Sequence, residues 1–102
     1  MTYDLTQFPA RDRLNDRLVR EVVATGPASY ATGGDVLNPT NDLGMGTVFG
    51  VYGVLTDGSA IRIPVLNFTT QAVQFYIPNT GAEVANGVDL SGFSGTLIFT
   101  GK

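Results

Sequence analysis

The chain has 102 residues with no cysteine and no histidine; this excludes disulfides, thiolate metal sites, imidazole bases and imidazole zinc ligands together. At 10.8 kDa it is one domain, able to bury roughly 65% of its unfolded surface in a single core. A net charge of −3 disfavours nucleic-acid binding, a 43% hydrophobic content excludes a wholly disordered chain, and 13 Gly with 5 Pro exclude a helical bundle.

Charge is unevenly distributed. Arg11, Arg13, Arg17 and Arg20 stand together, so residues 1–20 carry +1 and residues 21–102 carry −4. Residues 1–13, with Pro9 and the isolated aromatics Tyr3 and Phe8, show no periodicity and are expected to form an extended N-terminal arm ahead of a single β domain over residues 14–102. Tyr3, Phe8, Arg11, Arg13, Arg17 and Arg20 are the candidate interface, because aromatic and arginine side chains dominate contact energetics. The competing expectation for Tyr3 and Phe8 is a hydrophobic latch folded back on the domain.

Leu18, Val19, Val22 and Val23 precede a Gly-Pro break and predict a strand over residues 17–24. Residues 26–46 hold five Gly, two Pro and four Asn or Asp, the turn chemistry of a long loop, with a short strand expected at Ser29 to Ala31. Residues 47–56 and 59–68 flank Asp57-Gly58, a pair suited to a two-residue hairpin turn. The first of these strands is apolar on both faces, which predicts that it is covered twice. In the second, Ile61, Ile63 and Val65 are expected inward, alternating with Arg62 and Pro64, and Pro64 belongs at an edge or bulge because it lacks a ladder donor. Residues 71–77 repeat the alternation, with Val73, Phe75 and Ile77 inward. Residues 82–95 read as loop and residues 96–100 as a last strand. Five to six short strands predict an all-β fold, a small antiparallel sandwich or a partly open barrel.

Catalytic equipment is sparse, and no enzyme, cofactor or resident metal is expected. The run from Gly44 to Gly50 has its third glycine one residue late for a dinucleotide fingerprint and enters a strand. Ser91 and Ser94 lack a histidine base and the nucleophile-elbow spacing. Asp35, Asn38, Asn41 and Asp42 could offer oxygen ligands to calcium, but such residues usually cap their own turns. Glu83 and Asp89 are the one nearby carboxyl pair that could support hydrolysis. Asn67-Phe68-Thr69 is a formal glycosylation sequon without a secretory signal. No apolar run approaches the length of a membrane span.

The stretches Gly26-Pro27-Ala28-Ser29-Tyr30-Ala31-Thr32-Gly33-Gly34-Asp35, Asp42-Leu43-Gly44-Met45-Gly46-Thr47 and Gly81-Ala82-Glu83-Val84-Ala85-Asn86-Gly87-Val88-Asp89-Leu90-Ser91 resemble segments of small structural proteins of tailed-bacteriophage virions, including capsid cement or decoration proteins. Met45 stands where that pattern has leucine. The resemblance implies a protein made in the host cytoplasm that sits on the outer capsid surface of the virion. There it would bridge major capsid protein subunits, working as a homo-oligomer, a dimer or trimer, without nucleic acid or membrane. A second expectation is a tail, baseplate or head-fibre adhesin that binds a host glycan through Tyr52, Tyr76 and the Asp35 to Asp42 loop.

Overall fold

The computed structural model describes residues 2–5, 12–14 and 17–102, and the side chains of Tyr3 and residues 18–102. The chain is nearly all β. The described residues form ten strands in order: β1 (Thr2–Leu5), β2 (Asp12–Leu14), β3 (Arg17–Thr25), β4 (Asp35–Val36), β5 (Val48–Gly53), β6 (Leu55–Thr56), β7 (Ile61–Asn67), β8 (Ala72–Ile77), β9 (Ala82–Glu83) and β10 (Ser94–Gly101). All pairings are antiparallel and build one open, curled sheet, a half-barrel with six main positions: β1 with β2, then β3, β10, β5 with β6, β7 and β8. The short β4 and β9 run along the far edge of β8. β1 and β2 both lie against the outer edge of β3, so Thr2–Leu5, Asp12 and Arg13, which fall in the segment 1–13 read as an arm, are strand residues of the sheet.

The core fills the concave side. Val22 and Ala24 of β3, Leu97 and Phe99 of β10, Leu55 of β6 and Val73 and Phe75 of β8 point inward. Loops close over them with Leu37, Leu43 and Met45 from one side and Val84, Leu90 and Phe93 from the other. The first loop includes one wide helical turn, Pro39–Leu43, entered through Asn38 and ended by Gly44 at φ +67°.

The expected hairpin at Asp57-Gly58 forms, but only Leu55 and Thr56 pair across it, with Arg62 and Ile61. Its turn spans Asp57 to Ala60, with Asp57 Oδ1 accepting the N–H groups of Ser59 (2.9 Å) and Ala60 (2.8 Å). Beyond it β5 leaves β7 and pairs with β10. Two glycines allow that bend. Gly53 sits at φ +122°, and a Cβ on Gly95 would lie 2.3 Å from the Val54 carbonyl oxygen, so the strands cross where no side chain fits. A bulge opposite Thr100 and Gly101 adds one residue between Val48 and Gly50 and shifts the side-chain alternation. Val48 therefore points inward while Tyr52 and Val54 point outward, and the predicted double covering of this strand does not occur: Tyr52 is 61% exposed.

β7 corrects a second expectation. Ile61, Ile63 and Val65 face outward and are exposed, whereas Arg62, Pro64 and Leu66 face the concave side. Pro64 lies opposite Phe75, whose N–H and C=O are both engaged on the other edge of β8, so the missing proline donor points toward β6. There β6 has already ended, and no ladder bond is lost. The strand expected at Ser29 to Ala31 is absent; Tyr30 has another role.

Candidate contact face and the loops behind it

The convex face of the sheet is the candidate site. Register fixes which residues share it: Val23 opposite Thr96 between β3 and β10, Ile98 opposite Tyr52 between β10 and β5, Thr56 opposite Ile61 between β6 and β7, and Ile63 opposite Tyr76 between β7 and β8. Among the residues whose side chains are described, the outward positions from β3 to β8 carry one charge, Glu21. Val23, Tyr52, Val54, Ile61, Ile63, Val65 and Ile98 are all exposed large hydrophobic side chains, and they run as one strip across the strands. An exposed apolar strip of this kind with a tyrosine at its centre has the composition of an interface core. The Tyr52 hydroxyl folds back over Gly50 and Thr100, and this covers the bare glycine backbone.

Behind the sheet, the two longest of the resembling segments grip each other. Gly26 donates to Phe93, Leu90 to Pro27, Tyr30 to Val88 and Gly87 to Tyr30, all backbone bonds of 2.7 to 2.9 Å. A Cβ on Gly26 would lie 2.2 Å from the Leu90 carbonyl oxygen, so only glycine permits this approach. Tyr30 is 1% exposed and works through its hydroxyl. On the far edge of β8, β4 pairs with Ala72 and Val73 and β9 with Tyr76 and Ile77, which leaves a gap at Phe75. The Phe75 N–H fills it by donating to Tyr30 Oη at 3.1 Å, and that hydroxyl donates to Glu83 Oε2 at 2.6 Å. Gly33 N–H donates to the same carboxylate oxygen at 2.8 Å. One side chain thus takes the place of a missing strand pairing. Burial and the adjacent Glu83 carboxylate push the Tyr30 hydroxyl above the ordinary tyrosine range.

The N-terminal candidates separate. Tyr3 takes the latch position: its ring meets Phe99 edge-on at 5.7 Å, and its hydroxyl donates to Asp35 Oδ2 at 3.2 Å. Burial first, then the Asp35 charge, raise its pKa. Arg20 is 3% exposed, on the inward face of β3 opposite Phe99, with Nη1 donating to the Val19 carbonyl. It is therefore covered by its own chain, since the β3 alternation that buries Val22 and Ala24 also turns Arg20 inward. Arg13 lies on β2 and Arg17 opens β3. Phe8 and Arg11 fall outside the described residues.

The carboxylates Glu83 and Asp89 both accept hydrogen bonds from their surroundings, Glu83 from the Tyr30 loop and Asp89 within its own turn. Bonds from Tyr30 and Gly33 hold Glu83 below the usual carboxylate range, and bonds from Ser91 do the same for Asp89. A proton-donating carboxyl requires the opposite shift. In the Gly-rich loop, Asn38 Oδ1 accepts from Asn41 N–H and Asp42 Oδ2 from Asn38 N–H, a reciprocal cap on the helical turn. Sequence reading missed two polar residues, Tyr30 and Gln71. Gln71 has φ +54°, and its side chain bonds Val48 N–H at 2.8 Å, Val48 C=O at 3.0 Å and Phe68 C=O at 2.9 Å, imitating a strand beside β5. A lone polar residue at the start of an apolar alternation was the available signal for Gln71. No protein-family model, curated protein or solved structure matches this chain.

Proposed function

We propose that the chain is a capsid cement protein that binds the outer surface of a major capsid protein shell as a dimer or trimer. The observation that carries this reading is the convex strip of exposed aliphatic side chains around Tyr52 on an antiparallel sheet, with Glu21 the one charge among the outward side chains described. Such a surface is suited to being covered on assembly, and many equal copies around a shell make weak contacts sufficient. The resemblance of residues 26–35 and 81–91 to virion structural proteins points the same way. Those segments fasten the loops that back the sheet, which gives them a structural reason to hold their sequence.

The test is sedimentation of purified chain with empty expanded heads built from the major capsid protein of the same virus, with the disruption temperature of the heads read in parallel. Co-sedimentation and a raised disruption temperature are expected, and both should fall with Tyr52→Lys. Absence of binding refutes the proposal. One observation favours the adhesin instead: Tyr52 and Tyr76 share the convex face and flank the β7 aliphatics. Glycan-array hits lost on Tyr52→Lys, with no head binding, would select that reading.

A further inference from the structure

Where β6 turns into β7, a cleft of about 300 Å³ opens between Ser59, Ala60, Ile61 and Arg62 on one side and Ile77, Pro78 and Asn79 on the other. Arg62 faces the concave side, and its guanidinium carbon lies 4.9 Å from the centroid of the Phe93 ring. Stacking on an aromatic face fixes the guanidinium plane and orients its donors. Nη1 donates to the Ile61 carbonyl at 2.8 Å. Nε is enclosed and has no acceptor, and no carboxylate of the described residues comes within ion-pair distance. The neighbouring acid, Asp57, already accepts from Ser59 and Ala60 N–H. Nη2 is not so enclosed and has no acceptor among the described residues, so the stacked guanidinium keeps one charged donor without an acid partner at a cleft it helps to line, and a carboxylate is the group that would pair with it.

We infer that this cleft receives a single carboxylate from an aspartate or glutamate side chain of the protein partner. Ile61, Ile77 and Pro78 provide an aliphatic wall for a methylene stem, and the lining offers no aromatic platform for a sugar ring. The inference rests on the contact function proposed above, because Ile61 belongs both to the convex strip and to the cleft, so a partner covering one reaches the other.

The experiment is an NMR titration of the nitrogen-labelled chain with N-acetyl-glutamate N-methylamide, N-acetyl-glutamine N-methylamide as the neutral control, and glucuronate. The Arg62 Nε–H resonance and the Ser59, Ala60 and Asn79 amides should move saturably with the glutamate analogue, at a millimolar Kd, and stay still with the neutral one. Arg62→Gln should weaken the effect by about tenfold or more and Arg62→Lys by less, since lysine keeps the charge without the guanidinium stacked on Phe93. If Arg62→Gln does not fold, the Nε–H resonance of the wild-type chain and the lysine variant still decide the matter. No saturable shift, or an equal shift with the neutral analogue, overturns the inference. A response to glucuronate alone overturns the assignment to a protein side chain. Head binding without a titration refutes the cleft and leaves the contact function standing, and a titration without head binding does the reverse.

Discussion

Replacing Tyr30 by phenylalanine deletes one oxygen and leaves the ring against Phe75, 6.2 Å away in an edge contact. The deletion strips the buried Phe75 N–H of its acceptor, which costs about 1–3 kcal/mol because a buried donor is left unsatisfied. Glu83 loses a donor as well, but it is only half-buried and water replaces most of that bond, so this part adds about 0.5 kcal/mol. Together these come to about 1.5–3.5 kcal/mol, which should lower Tm by on the order of 15 °C in a domain of this size. Urea unfolding followed by circular dichroism measures the loss, and hydrogen exchange at the Phe75 amide locates it. Glu83→Gln retains an acceptor for Tyr30 and Gly33 and should cost less than Tyr30→Phe. If Tyr30→Phe stays within about 0.5 kcal/mol of wild type while the Phe75 amide keeps its protection, the hydroxyl is not the keystone of that edge.

The acid side tests the same network. Hydrogen bonds from Tyr30 and Gly33 depress Glu83 in the fold, so its contribution is present above its unfolded pKa and disappears as pH falls through the lower folded value; Tyr30→Phe should flatten that acid limb in urea titrations at stepped pH. On the alkaline side, Tyr3 and Tyr30 are raised by burial and by neighbouring carboxylates. Their contribution holds below the unfolded tyrosine pKa of about 10 and is lost above it, and ultraviolet titration should find both phenols ionising only as the chain unfolds. Gln71→Ala keeps the positive φ and loses three side-chain bonds, a cost of about 2 kcal/mol; Gln71→Gly loses the same bonds but relieves the backbone and should be the milder substitution in urea unfolding. Gly26→Ala should part the loops at residues 26–34 and 83–93, seen as lost amide protection at Tyr30 and Leu90, because its methyl meets the Leu90 backbone. Tyr52→Lys should leave stability within about 0.5 kcal/mol by thermal unfolding, which separates a contact role from a core role.

Strand existence was legible from the residues: β3, β8 and β10 stand within two residues of their expected bounds, and β8 points Val73, Phe75 and Ile77 as its alternation required. Which face of a strand turns inward was not legible for β7. Alternation assigns residues to two sets, and the rule that the more apolar set is buried fails when the sheet exposes an aliphatic strip and a stacked arginine and a proline fill the inner side. The division of the long hairpin depended on Gly53 and Gly95, distant in sequence, meeting where the strands cross, and a local pattern cannot register that contact. Residue type alone marks Tyr3 and Arg20 as contact residues, but register, which is a property of partner strands, turns both toward the core. The convex strip was therefore invisible until the sheet curled.

The pairing of β3 with β10 along their whole lengths, Thr25 against Ser94 and Leu18 against Gly101, joins the first long strand to the last. Loop closure over so much chain must precede any reward from those bonds, so the half-barrel is expected to assemble slowly, in milliseconds to seconds, with its central seam among the last parts to zip. During synthesis β3 waits without its main neighbour, and a cell overproducing this chain at low temperature, where competing aggregation slows, should recover more of it in folded form.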